Sequence, residues 1–175
     1  MKTTQILRHL AFGLATVLTA STSYAQTEAP KDKPSPAATA SGKIGATDVT
    51  IKYSSPAVKG RTIWGGLEPY GKVWRAGANE ATTVEFSKPV KVEGKALPAG
   101  TYSLFMIPTE KDWTVIFNKT AKQWGAYEYD EKQDALRVTV KPRKSNTLTE
   151  RLAYEVTPNG LVLRWEYMEV PVAVK

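Results

Sequence analysis

The chain contains no cysteine and a single histidine, His9, in 175 residues. The first absence excludes disulfides, Cys-ligated zinc, iron–sulfur clusters, lipid attachment through an N-terminal Cys and any thiol nucleophile. His9 lies in a segment read below as cleaved. The mature chain would then hold no imidazole, which excludes Ser-His-Asp chemistry, His-ligated metals and a His pH switch. Long apolar runs are missing too. The best is Leu10 to Ala20, about half of the ~20 residues that span a bilayer.

That run belongs to a secretory signal pattern. Lys2 and Arg8 supply the positive start, and Ser23-Tyr24-Ala25 places small residues where a signal peptidase reads them. Cleavage is expected after Ala25, leaving Gln26 first and lowering the net charge from +7 to +5. The expected location is periplasmic or secreted, with no transmembrane segment after signal removal. Residues 26–43, QTEAPKDKPSPAATASGK, hold no aromatic or large aliphatic side chain. With nothing to bury, they read as a disordered linker. Residues 44–175 form the expected folded domain, with 19 basic and 15 acidic side chains scattered among each other. No basic run supports nucleic-acid binding.

The domain reads as strand after strand. Apolar and polar residues alternate in 48–53, 83–86, 136–141 and 151–156, and Val170, Val172 and Val174 share one face. This is the period of antiparallel strands with one face in a core. Residues 102–107 and 113–117 are apolar on both sides and read as central neighbours joined by a turn over 108–112. Gly94 and Pro158-Asn159-Gly160 mark two hairpin turns. Pro171 cannot donate to a ladder, so its position is an edge or a bulge. The expected fold class is all-β: an antiparallel β-sandwich or small β-barrel of about eight strands, almost without helix.

Two segments fit no strand: 61–80 and 119–133. Both are long for connections in a small domain, and both are rich in Trp and Tyr. They read as ordered loops and form the candidate ligand site: Arg61, Trp64, Trp74, Arg75, Asn79, Glu80, Trp124 and Tyr127. An Arg fork beside a flat indole suits a sugar or a carboxylate-bearing ligand. The plainer alternatives are that the tryptophans plug the end of the fold and that Arg75 pairs with Glu80. Trp113 and Trp165 sit in strand patterns and read as core.

Catalytic and metal chemistry find less support. Only oxygen ligands remain for a metal, and the acidic cluster Glu128, Asp130, Glu131 and Asp134 lacks the spacing of an EF-hand loop. No metal and no cofactor are expected. A glycosidase-like pair could be drawn from Glu68 or Glu80 with Glu128. Asn118-Lys119-Thr120 matches a glycosylation sequon and is taken as accidental.

Longer motifs carry a resemblance. They are YSSPAVKGR (53–61), IWGGLEPYGKVWRAGANEATTVEFS (63–87), LPAGTYSLFMIP (97–108), WTVIFNK (113–119), WGAYEY (124–129), RVTVKP (137–142) and LRWEYMEVPV (163–172). Together they resemble the bacterial domain-of-unknown-function family number 2911 over nearly all of residues 44–175. The resemblance implies an exported bacterial β-rich domain and no particular reaction. The expected function is a noncatalytic envelope binding or interaction module. Its partner would be a small molecule, a glycan or an envelope protein. The alternatives are a structural envelope β-domain, or a carboxylate-dependent hydrolase or lyase.

Overall fold

The computed structural model describes residues 34–175. The expected signal sequence, residues 1–25, and residues 26–33 of the expected linker lie outside them. Among the described residues no helix is long and apolar enough to cross a membrane. The only helical element there is one 3-10 turn, Glu131–Gln133.

Ten strands follow in chain order: β1 (Ala37–Ile44), β2 (Thr47–Ser54), β3 (Thr82–Phe86), β4 (Val90–Val92), β5 (Lys95–Leu97), β6 (Gly100–Ile107), β7 (Trp113–Asn118), β8 (Asp134–Val140), β9 (Arg143–Thr157) and β10 (Gly160–Ala173). Six make an antiparallel sheet in the order β1-β2-β3-β6-β7-β8; β9 and β10 make a long hairpin; β4 and β5 make a short one. The main sheet does not close on itself. Of the two expected architectures the protein adopts the sandwich-like one, not the barrel.

The alternation in the sequence is the alternation of burial. Val49 and Ile51 of β2, Val84 and Phe86 of β3, and Val138 and Val140 of β8 all face the core. They meet Leu152, Tyr154, Leu161, Leu163, Trp165, Val170 and Val172 from the hairpin. The two doubly apolar segments are neighbours, with Phe105 opposite Ile116 and Leu104 opposite Phe117. Leu104 and Phe117 face the main core. Phe105 and Ile116 point the other way and form a second cluster with Ala81, covered by Val73, Ile107, Ala126 and Tyr129. The long loops therefore roof the outer face of β6 and β7, and this is why those strands are apolar on both sides.

The linker reading needs a correction. Residues 37–43 belong to β1, which pairs with β2 from Ala37↔Ser54 to Ile44↔Thr47. Pro36 O accepts from Ser55 N at 2.8 Å, and Ser35 O accepts from Asn79 Nδ2 at 3.2 Å. The small side chains that suggested disorder answer a packing need. A Cβ on Gly42 would lie 3.0 Å from Val156 Cβ of β9. Ladder hydrogen bonds, which composition does not register, hold this strand.

Pro171 follows the last β9–β10 rung, Glu169↔Arg143, so its missing N–H costs that ladder nothing.

Candidate functional site

The 61–80 loop is tied down at several points. Leu67 N donates to Thr62 O at 3.0 Å and Glu68 N to Ile63 O at 2.9 Å. Trp74 and Met106 exchange backbone hydrogen bonds of 2.8 and 2.9 Å, which fastens the loop to the end of β6. Ala76 O accepts from Thr82 Oγ1 at 2.9 Å and from Tyr154 Oη at 2.8 Å. Burial pushes the Tyr154 phenol well above its ordinary pKa, so it stays a donor.

Four tryptophans fill the space beneath. Trp64 lies edge-on to Trp113 at 4.6 Å between ring centroids, to Trp74 at 5.5 Å and to Trp165 at 5.6 Å, while Trp74 and Trp165 stack at 5.9 Å. Trp74, Trp113 and Trp165 are buried and Trp64 is half-buried. Trp64 and Trp74 thus plug the end of the fold. This is the packing role that the plainer reading gave them. Two of the four indole N–H groups are satisfied: Trp74 donates to Gly77 O and Trp113 to Thr109 O, each at 3.1 Å. The N–H groups of Trp64 and Trp165 are buried and have no acceptor among the described residues.

A cleft of about 360 Å³ opens above this cluster, walled by Arg61, Glu68, Arg75, Asn79, Lys59 and Trp165. Its opening originates in the hairpin. Between the rungs Arg164↔Ala153 and Glu166↔Thr149, β10 advances two residues while β9 advances four. The surplus of β9 turns aside to pair with 56–58: Leu152 N donates to Pro56 O and Val58 N to Glu150 O. Trp165 is left opposite the gap, an arrangement that bulges favour beside binding sites. Two of the five positive-φ residues other than glycine, Lys59 and Asn79, line this cleft, and Ala76 and Glu166 adjoin lining residues in the chain. Such conformations cost roughly 1–3 kcal/mol each and collect where a site demands them.

The two arginines are employed differently. Arg61 turns back on its own chain, with Nε donating to Val58 O at 3.0 Å and Nη2 to Ala57 O at 2.5 Å. The Arg75 guanidinium makes no hydrogen bond or ion pair with any described residue, although its Nε is buried. It is not paired with Glu80, whose exposed side chain borders a different shallow depression beside Tyr53. Asn79 spends its amide on Ser35 O and on Ser54 Oγ at 3.1 Å, and so holds the cleft wall.

Glu68 was weighed in the sequence only as half of a glycosidase pair. Here it stands in the cleft without Glu80 or Glu128. Burial raises its pKa from 4.5 to about 7, against the opposing pull of Arg75 and Arg61. Between those values the native state binds a proton that the unfolded chain does not hold, so stability falls as pH rises from 4.5 to 7 and is level outside that window. Glu68→Gln copies the protonated form. Urea unfolding should find it close to the unmodified protein at pH 4 and more stable by on the order of 2 kcal/mol at pH 8. Parallel curves at both pH values would refute the burial argument.

The 119–133 loop is held by polar contacts. Ala81 N donates to Gln123 O at 3.1 Å, and Gln123 Nε2 donates to Ser103 Oγ at 3.2 Å. Asp134 accepts from Tyr129 Oη, from Arg137 Nε and from Asn118 Nδ2. Burial and the Asp134 carboxylate push the Tyr129 phenol up to about 12. Asp134 is thereby committed to structure, and Asp130 accepts from Lys132 N at the start of the 3-10 turn. Asn118 of the sequon is buried with its amide engaged. Among the described residues no group of three or more acidic side chains converges as a metal site would require.

Trp124 and Tyr127 are exposed. Tyr127 adjoins Arg75 through Gly125, where an added Cβ would lie 3.2 Å from the Tyr127 ring and 3.5 Å from Arg75 Nη1, while Trp124 bridges to Glu80 through the backbone. The structure therefore sorts the eight proposed residues. Arg61, Arg75 and Asn79 wall one cleft, Tyr127 stands beside Arg75, Trp64 and Trp74 lie behind, Glu80 borders a different depression, and Trp124 is bridged to Glu80. Sequence reasoning missed the part played by Trp165, because its strand pattern marks it as core and nothing local reveals the bulge.

A family model described as "Protein of unknown function (DUF2911)" matches residues 35–174. The chain belongs to this family. The DUF2911 match begins beside β1 and runs to the end of the last strand, so the family unit and the folded unit coincide. No curated protein and no solved structure matches this DUF2911 chain.

Proposed function

We propose that the protein is an exported, noncatalytic binding module of the bacterial envelope whose ligand occupies the Arg61–Glu68–Arg75–Trp165 cleft. The observation that carries the reading is the unpartnered Arg75 guanidinium, with its buried Nε, in the wall of that cleft. A buried polar group without a partner costs about 1–3 kcal/mol and persists where a ligand or ordered water supplies the partner. Backbone strain collected around the same walls supports a built site. Export rests on Lys2, Arg8, the short apolar run and Ser23-Tyr24-Ala25. N-terminal sequencing of the mature protein should read Gln26 in the envelope fraction, and Met1 on cytoplasmic protein would end the export reading.

The structural reading has one observation in its favour: the Trp64 and Trp74 rings already close the end of the core. Arg75→Ala separates the two. Arg75 holds no carboxylate by a hydrogen bond, and at pH 4, where Glu68 is protonated, its pull on Glu68 also falls away, so there the variant should unfold within about 0.5 kcal/mol of the unmodified protein. A thermal-shift screen of sugars, carboxylic acids and envelope glycan fragments should find compounds that raise the midpoint of the native protein and not of Arg75→Ala. A loss of several kcal/mol in the variant, with no stabilising compound for the native protein, would favour the structural role.

A further inference from the structure

We propose that the cleft takes a sugar acid: a pyranose ring bearing a carboxylate, as in a hexuronic acid unit of an acidic glycan. This rests on the binding-module reading above and names the ligand class for the same site.

The donors in the cleft call for an acceptor that gives nothing back. Arg75 Nε and the indole N–H of Trp165, both in the cleft wall, are buried without an acceptor among the described residues, and so is the indole N–H of Trp64 behind the wall. All three groups can only donate. Trp165 is fully buried, yet it forms part of the cleft wall. A hydroxyl would bring a proton of its own to this cluster. A carboxylate brings two oxygens and no proton, and a guanidinium edge matches it in planar geometry. The remaining charge of the walls, Lys59 and Arg61 against Glu68, favours an anion.

The rest of the ligand is indicated by what the donors leave over. Glu68 faces the same space and has no side-chain hydrogen bond with a described residue, so it is available to accept from a hydroxyl. A simple carboxylic acid has no hydroxyl to offer it. Beside Arg75, across Gly125, stands the exposed ring of Tyr127, with Trp124 next along the loop. Exposed aromatic rings of this kind present an apolar face to the C–H side of a sugar. A carboxylate, hydroxyls and a ring face occur together in a uronic acid. The cleft volume of about 360 Å³ sits at the small end of ligand pockets, ~300–1,000 Å³, and suits a unit of this size.

The test is a titration of the full mature chain, labelled with ¹⁵N, with sodium glucuronate, sodium galacturonate, glucose, acetate and inorganic phosphate in turn. The five tryptophans provide five indole N–H signals. A uronate should shift the Trp165 indole signal most, while the hydrogen-bonded Trp74 and Trp113 signals move least. Glucose and acetate should bind at least about tenfold more weakly, since each lacks one half of the recognition. Arg75→Gln should cost about tenfold or more in uronate affinity, and Tyr127→Ala a smaller factor, with both variants still folded. Glucose binding as well as glucuronate, or phosphate binding tighter than either uronate, would overturn the sugar-acid assignment while leaving a ligand site in place. Absence of uronate binding would overturn it as well. The binding-module reading falls only if the wider screen described above also yields nothing.

Discussion

Gly160→Ala is expected to cost about 4 kcal/mol or more, and to leave little folded protein at physiological temperature. Gly160 opens β10 at the hairpin turn with φ +142°, a conformation that side chains rarely adopt. Space is the larger obstacle. An added Cβ would lie 2.0 Å from Val172 O and 2.8 Å from Val174 N, both backbone atoms. Those atoms cannot step aside, because Val174 N donates to Asn159 O and Lys175 pairs with Lys91 on both sides of its peptide. Relief would require unzipping the C-terminal strand from the turn and from β4. Gly94→Ala is the control. Gly94 also has positive φ, at +79°, but nothing lies within 4 Å of its would-be Cβ, so only the backbone term of about 1 kcal/mol remains. Urea unfolding of the two variants should differ by several kcal/mol. Equal midpoints would mean that the hairpin end yields where the geometry says it is clamped.

Phe117→Ala should cost ~3–5 kcal/mol, from lost transfer energy and the cavity left behind. Phe117 is fully buried in the central strand β7, opposite Leu104, with Phe86 at 6.2 Å and Tyr102 at 6.4 Å between ring centroids. Strands clamp it on both sides, so the site has little room to collapse. Tyr127→Ala provides the contrast. Its ring is exposed, and its removal should change stability by no more than about 0.5 kcal/mol. The pair separates the scaffold from the proposed ligand surface in one measurement. A Phe117 variant within 1 kcal/mol of the unmodified protein, roughly the span of a typical mutation, would refute the packing described here.

How legible the site was depends on what kind of contact makes it. That the loop bearing Arg75 would be ordered and would border a cleft was readable, because aromatic, Arg-bearing loops of that length demand an explanation. Glu68 entered only as a carboxylate looking for a pair, since the burial that shifts its titration comes from folding the loop over the tryptophans. Trp165 reads as core from its strand pattern, and it is core. Its second role follows from four residues of β9 opposing two of β10, a mismatch produced by pairing with 56–58, about a hundred residues earlier. Glu80 shows the reverse case. Adjacent to Asn79 in the chain, it faces another depression, because Asn79 at φ +59° turns the backbone before Glu80 pairs with Trp124.

By itself the sequence determined the class of fold, the core faces of most strands and the turns at Gly94 and Pro158–Gly160. These are local matters: period-two burial and the dihedral demands of particular residues act within a few positions. It also carried the family, through motifs whose order persists along the chain. Tertiary structure alone decided that Ala37–Ile44 is a strand, since its small side chains bury little and its hold comes from the β2 ladder and a tight fit beside β9. It decided the order β1-β2-β3-β6-β7-β8 and the sandwich-like form in place of a barrel. It also divided the tryptophans, with Trp64 and Trp74 in the packing and Trp124 in the open. The reason is common to all three. Which surface an apolar or hydrogen-bonding group meets is settled by segments distant in sequence, and the energy of that meeting is absent from any local pattern.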